Sequence, residues 1–248
     1  MTKMRNLALG LLGLLSIAAC STTAGAEQPT TSAKAGSAKV LLLGDSIAEG
    51  EALALDAALK AGGVGFHSLA AAGGGNVVGP FAAENWKKLP ADITAARPTT
   101  VVYQVTTYDW GTHAEQKAAY QKLLAAVTAT GAKLVFVTAP PIKADDFYRP
   151  HLAELARTTA VAREVAAESA GQAQVLDAAA VWGTTYQQQK DGKADRSADG
   201  IHTCPQGAAR FANWLVGELA TVPPGFTPAA ADSWANTGWA ADKRFKGC

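Results

Sequence analysis

The sequence predicts an α/β sandwich, a parallel sheet of five strands with helices on both faces. Three observations carry that reading. Short apolar runs alternate with longer stretches of helical composition five times, the pattern of strand–crossover–strand units. The runs are continuously apolar rather than alternating, as strands covered on both faces are. The 248 residues are 48% hydrophobic and only 17% charged, enough to build a core for one large domain.

The elements follow in order. Lys39–Leu43 (KVLLL) is a buried strand, and Ala52–Lys60 has helical composition ended by Gly62-Gly63. Gly65–Leu69 is a weaker second strand, followed by the glycine-rich loop Gly73–Asn76. Residues 81–96 are helical in part, and Thr100–Val105 is the third strand. His113–Thr130 places Tyr120, Leu123, Leu124 and Val127 at helical spacing. Lys133–Val137 is the fourth strand, stopped by Pro140-Pro141. His151–Ser169 is a long Ala-rich helix, Ala173–Leu176 the fifth strand, and Pro205–Leu219 a last amphipathic helix. Residues 222–248 hold prolines, glycines and two tryptophans without a period, and read as an irregular arm lying over a single domain of residues 38–248.

Ahead of that domain, Lys3 and Arg5 precede a 13-residue apolar run, Leu7–Ala19, too short to span a bilayer. It ends Ile17-Ala18-Ala19-Cys20, which resembles a bacterial lipobox. That resemblance implies removal of residues 1–19 as a signal peptide and acylation of Cys20, with residues 20–37 as a flexible Ser/Thr/Ala/Gly tether. The protein is then expected to be exported and anchored by lipid at the outer face of the cytoplasmic membrane. Losing Lys3 and Arg5 takes the formal charge from +1 to −1, which leaves no basic surplus for nucleic acid. With Cys20 acylated, Cys204 and Cys248 remain, and in an oxidising compartment a disulfide between them is expected.

In open parallel sheets, ligands bind beyond the carboxyl ends of the strands. Gly44-Asp45-Ser46, Gly73–Asn76, Thr106–Trp110, Ala139–Pro141 and Asp177 stand there. Ser46, at a strand-to-helix turn, is the candidate nucleophile, with Asp45 as a turn-forming and capping carboxylate. A serine hydroxyl needs a base, usually a histidine oriented by a carboxylate. Asp199-Gly200-Ile201-His202, just before the last helix, supplies both.

Gly44-Asp45-Ser46 after an apolar strand, together with Asp-x-x-His near the C-terminus, resembles the SGNH or GDSL hydrolase superfamily over roughly residues 38–220. The resemblance implies a five-stranded flavodoxin-like parallel sheet, ester chemistry without cofactor or metal, and Ser46, His202 and Asp199 as a triad. It also implies that the amides of Ser46 and of a glycine among Gly73, Gly74 and Gly75, Gly75 preferred, hold the oxyanion. Thr138–Pro141 is similar to the family's proline-ended fourth strand. One block departs from the pattern. The family's Gly-x-Asn-Asp corresponds to Thr106-Thr107-Tyr108-Asp109, so the donor Asn is absent. Such a donor is worth about 2.7–4 kcal/mol of barrier. Asn76 is the expected substitute, with Thr107 and the Tyr108 hydroxyl as alternatives. The Gly-x-Ser-x-Gly elbow is not met, since position 48 is Ala.

Tyr108, Trp110 and Trp182 are expected at the rim of the site, stacking on a sugar or packing an acyl chain, with Phe147 and Tyr148 as a lid. Asp109 and His113 are four apart but lack a third ligand, and His67 reads as an ordinary core or surface histidine. The expected protein is a monomeric serine enzyme that cleaves or transfers an O-acyl group of an uncharged sugar ester or cell-envelope glycan through an acyl-Ser46 intermediate. Water as acceptor makes it an esterase, and a sugar hydroxyl makes it an O-acyltransferase. The lipobox and Ala-rich composition suggest an actinobacterial envelope, where an alternative is similarity to the mycobacterial octanoyltransferase branch that acylates a glucosylglycerate. The alternative from another class is a non-catalytic envelope-binding lipoprotein that keeps the fold.

Overall fold

The structure is a computed structural model that describes residues 38–248. The expected signal peptide, Cys20 and tether lie outside the described residues. The chain runs β1 (Lys39–Leu43), α1 (Ser46–Ala61), β2 (Gly65–Ser68), α2 (Ala82–Trp86), α3 (Leu89–Ala96), β3 (Thr100–Gln104) and α4 (His113–Thr128). It continues with β4 (Lys133–Val137), α5 (Leu152–Glu168), β5 (Ala173–Leu176), α6 (Ala179–Trp182), the short strands β6 (Gln189–Lys190) and β7 (Lys193–Ala194), and α7 (Pro205–Leu219).

The five expected strands form one sheet in the order β2-β1-β3-β4-β5, with every pairing parallel. The strand order reverses at β1 and β3, the place where such sheets open a crevice. Side chains alternate across the pleat. Val40, Leu42, Val102 and Val135 bury against α1 and α7, with Leu55, Leu59, Phe211 and Leu215. Leu41, Leu43, Val101, Tyr103, Leu134 and Phe136 bury on the other face, with Ile93 of α3, Tyr120 and Leu123 of α4, and Val161 of α5. Each fully buried large side chain contributes about 1.5–3 kcal/mol.

Two local features differ from expectation. Helix α1 begins at Ser46, six residues before the expected start, because Asp45 caps it: its carboxylate accepts the Ile47 amide at 3.0 Å. Gly50 inside that helix has a spatial reason, since a Cβ there would stand 3.2 Å from Thr203 Oγ1. The β6–β7 hairpin turns through Asp191-Gly192, both at positive φ, the Asp-Gly signal of a tight hairpin.

The arm beyond residue 222 is bound down. Trp234 is buried in the α1–α7 face, with Trp239 and Phe245 packed beside it. The Cys204–Cys248 disulfide, with a Cα–Cα distance of 5.6 Å, ties the arm to the start of α7. His67 is exposed on β2.

Candidate active site

The nucleophile turn is built where β1 ends. Gly44 packs too closely on α1 for a side chain, as a Cβ would lie 2.6 Å from that of Ala48. Asp45 then caps the helix, and Ser46 takes its first position, half-buried. The first amides of a helix have no internal acceptor, so the Ser46 N–H faces outward beside its own hydroxyl.

Asp45 also bridges the switch point. Its Oδ2 accepts the Thr107 amide at 2.7 Å and the Thr107 hydroxyl at 2.8 Å. The carboxylate is 2% exposed. Burial pushes its pKa above the ordinary value, opposed by the hydrogen bonds from Thr107 and Ile47. Nearby, Asp109 is fully buried and accepts from the hydroxyls of Tyr103, Tyr120 and Thr106. Burial raises it to about 6 in spite of those donors.

The other half of the site precedes α7. Gly200 turns the chain at positive φ, and Asp199 Oδ1 accepts the amides of Ile201 at 2.7 Å and His202 at 3.0 Å. Asp199 Oδ2 meets His202 Nδ1 at 2.8 Å, and His202 Nε2 meets Ser46 Oγ at 2.8 Å. The residues predicted from sequence thus form a continuous Ser–His–Asp relay. Partial burial raises the Asp199 pKa, but hydrogen bonds from the His202 ring and amide and the Ile201 amide lower it more, and it stands below the ordinary carboxylate value. This holds the partner of His202 as an anion. The side chains of His202 and Asp199 are 41% and 46% exposed, so water reaches the base.

Gly75 packs on the nucleophile turn. At φ +80° it approaches Gly44 so closely that a Cβ would fall 1.8 Å from the Gly44 oxygen; no other residue fits. Among the described residues, the amides of Ser46 and Gly75 have no acceptor. They are available to an oxyanion at this turn.

The expected substitute for the missing Asn is corrected. Asn76 is fully buried, and its side-chain amide donates to the carbonyls of Val78, at 2.7 Å, and Pro80. It stitches its own loop and has no hydrogen left for a substrate. Thr107 spends both its donors on Asp45. The Tyr108 hydroxyl lies 3.5 Å from that of Tyr148.

A second correction concerns the aromatic rim. Trp182 is 6% exposed and stacks on Phe211 of α7. The short helix α6 after β5 turns it into the α1–α7 core, with the Arg196 guanidinium 5.4 Å from its ring. Tyr108 and Trp110 do cluster, with Phe81, Phe147 and Tyr148, and Trp110 stacks on His151 with ring centroids 3.5 Å apart. Tyr148 is buried against Ile47 and Ile201, the neighbours of Ser46 and His202, while Phe147 is exposed. The cavity of about 440 Å³ that contains Ser46, Asp199 and His202 is walled differently, by Glu49, Thr203, Lys243, Arg244 and Lys246.

Sequence reasoning missed Arg196. It is buried, and its guanidinium donates to the carbonyls of Pro141 at 2.9 Å, His202 at 3.4 Å and Ile201. Arg196 and Thr203 form a β-bridge that closes the Asp199–His202 turn. Glu51 of α1, also missed, is fully buried, and its carboxylate oxygens have no hydrogen-bond partner among the described residues. Burial pushes its pKa well above the ordinary range, against the attraction of Arg196. Asp195-Arg196, three residues ahead of the Asp-x-x-His motif, was the available signal: a charged pair leading into an otherwise small-residue loop.

The family model described as "SGNH domain (fused to AT3 domains)" matches residues 16–193, a span that includes Ser46 and ends before Asp199. No curated protein matches. Among solved structures, an α/β hydrolase enzyme from the metagenome of Lake Arreo, Spain, is 17% identical with a TM-score of 0.56, covering 74% of this chain and 95% of that one. An acetylxylan esterase from Geobacillus stearothermophilus is 16% identical with a TM-score of 0.53, covering 75% and 96%. A carbohydrate esterase family 3 protein from Talaromyces cellulolyticus is 18% identical with a TM-score of 0.53, covering 73% and 96%. At these identities the likeness is one of fold. The family match spans more than half of the chain, which therefore belongs to the SGNH hydrolase superfamily and is a serine hydrolase.

Proposed function

We propose that the protein is an esterase that removes a short O-acyl group from a sugar or glycan ester. The observation that carries this is the relay of two 2.8 Å contacts from Ser46 Oγ through His202 to Asp199. Ser46 Oγ attacks the acyl carbonyl while His202 Nε2 takes its proton. The imidazolium, its Nδ1–H held by Asp199, returns that proton to the departing alcohol oxygen. Water, deprotonated by His202, then attacks the acyl-Ser46 carbonyl and releases the acid. The amides of Ser46 and Gly75 stabilise the negative oxygen in both steps.

The exposure of His202 and Asp199 favours water as the acceptor over a sugar hydroxyl. The charged walls of the cavity suit a short acyl group such as acetyl better than an octanoyl chain, which needs an apolar sleeve. The solved acetylxylan and carbohydrate esterases of similar fold are consistent with an acylated carbohydrate. Export and a lipid anchor at Cys20 remain part of the proposal, supported by the lipobox-like run ending Ile17-Ala18-Ala19-Cys20. A disulfide beside the site suits an oxidising compartment.

The test is covalent labelling with a fluorophosphonate probe together with turnover of aryl acetates. The wild type should label once, at Ser46. Ser46→Ala should stay folded, lose the label and lose turnover by roughly 10⁶-fold. A folded wild type that neither labels nor cleaves acetates would establish the non-catalytic binding protein instead.

A further inference from the structure

The cavity around Ser46 is not walled by the sheet alone. One side is the arm, through Lys243, Arg244 and Lys246. The arm is held there by more than packing. The Cys204–Cys248 bond anchors it two residues after His202. The Lys246 carbonyl accepts from the Ser197 hydroxyl at 2.8 Å, and the Gly247 carbonyl accepts the Ala198 amide at 3.0 Å. These two bonds tie the carbonyls of Lys246 and Gly247 to Ser197 and Ala198, the residues that lead into Asp199.

Three cations, Lys243, Arg244 and Lys246, and three carboxylates, Glu49, Asp199 and Asp242, meet at this cavity, but they are not evenly paired. Arg244 is occupied by Asp242 at 2.9 Å and also faces Glu49. Asp199 is committed to His202 and two amides. Among the described residues, neither Lys243 nor Lys246 has a carboxylate within 4 Å. Two lysines without a close ion-pair partner therefore line the same cavity as the nucleophile, on a protein with almost no net charge.

We infer that the disulfide-clamped arm is an anion-recognition wall, and that the preferred ester carries a carboxylate or phosphate beside its acyl group. Fixed cations in a cleft raise the local concentration of an anionic substrate and orient it. This goes beyond the uncharged ester that composition alone suggested, and it rests on the esterase reading for the identity of the reacting bond.

The experiment compares kcat/KM for methyl 4-acetoxybenzoate, which is neutral, with 4-acetoxybenzoate and 4-acetoxyphenyl phosphate, which are anionic. At low salt the wild type should prefer at least one anion about tenfold, with the preference shrinking as salt rises. Which anion is preferred tells a carboxylate ligand from a phosphate. Lys243→Gln/Lys246→Gln should bring the ratio close to one. Cys248→Ala, which frees the arm, should lower it as well. Lys60→Gln, at the far end of α1 and about 20 Å along the helix from Ser46, should leave it unchanged. A wild-type ratio of one or below, or a ratio the paired lysine substitution does not change, overturns the inference, and an unchanged ratio in Cys248→Ala overturns the clamp. If no ester is cleaved, the esterase reading fails separately. Calorimetric binding of 4-acetoxybenzoate to Ser46→Ala, with and without the two lysines, then decides the wall: binding lost with the lysines supports it, and equal or absent binding overturns it.

Discussion

The two halves of the triad are held by groups of opposite charge. The nucleophile side, at the ends of β1 and β3, is gathered by buried carboxylates. Asp45 collects the amides of Ile47 and Thr107 and the Thr107 hydroxyl, and Asp109 collects three hydroxyls. The base side, ahead of α7, is gathered by a buried guanidinium: Arg196 collects the carbonyls of Pro141, Ile201 and His202. The difference follows from backbone chemistry. A helix start offers spare N–H groups, so an acceptor organises it. The turn before α7 uses its amides on Asp199 and leaves carbonyls pointing inward, so a donor organises it. Each buried polar end has been given the partner it lacks.

Substitutions that remove each organiser test this contrast. The largest expected effect is on the base side. Arg196→Met strands the Pro141 and Ile201 carbonyls, while that of His202 keeps the Ser197 amide at 2.8 Å; it should cost about 4 kcal/mol, with kcat falling as His202 loses its support. Urea unfolding at unchanged m, read beside kcat, measures both. Loss of stability without loss of kcat would mean that Arg196 serves the core and not the loop.

On the nucleophile side, Asp109 should give stability a pH signature. Its carboxyl titrates at about 6 in the folded protein and at 3.8 unfolded. Between those values the folded state keeps a proton that the unfolded state has lost. Its contribution is therefore full below pH 4 and disappears as pH rises through 6, on the order of 3 kcal/mol. The difference in unfolding free energy between wild type and Asp109→Asn, followed from pH 4 to 7, should slope downward over that window. A flat difference curve would show that burial does not perturb this group.

Asp45→Ala should cost about 2 kcal/mol, a lost helix cap plus a stranded Thr107 amide, and thermal unfolding measures it. The smallest effect sharpens the contrast. Glu51 stands near Arg196 but makes no hydrogen bond among the described residues, and burial disfavours its charge. Glu51→Gln should therefore change stability by less than about 1 kcal/mol, against the large effect of Arg196→Met. Equal losses would mean that the two form an ion pair that holds the loop jointly.

What the sequence revealed follows the range of the interactions. All five strands were legible because continuous apolar runs are a local signal. Ser46, Asp199 and His202 were legible because each sits in a short motif at a strand end or helix start. The first turn of α1 was hidden by Ser-Ile-Ala-Glu-Gly-Glu, where a glycine and two glutamates suggest a loop, although Glu51 is buried. The Asp45–Thr107 bond joins residues 62 apart and leaves no pattern in either segment. Asn76 looked free because nothing in a glycine-rich segment announces that the carbonyls of Val78 and Pro80 fold back onto it. Trp182 was misplaced for want of α6, a single turn too short to read from composition.

The parallel strands give the domain a front and a back. Ser46 follows the carboxyl end of β1, whereas the chain enters β1 at Lys39, on the opposite edge of the sheet. Five residues of strand separate the two by about 15 Å. A tether attached ahead of residue 38 therefore joins the domain at the end of the sheet opposite the catalytic mouth, so that it does not cross the approach to Ser46.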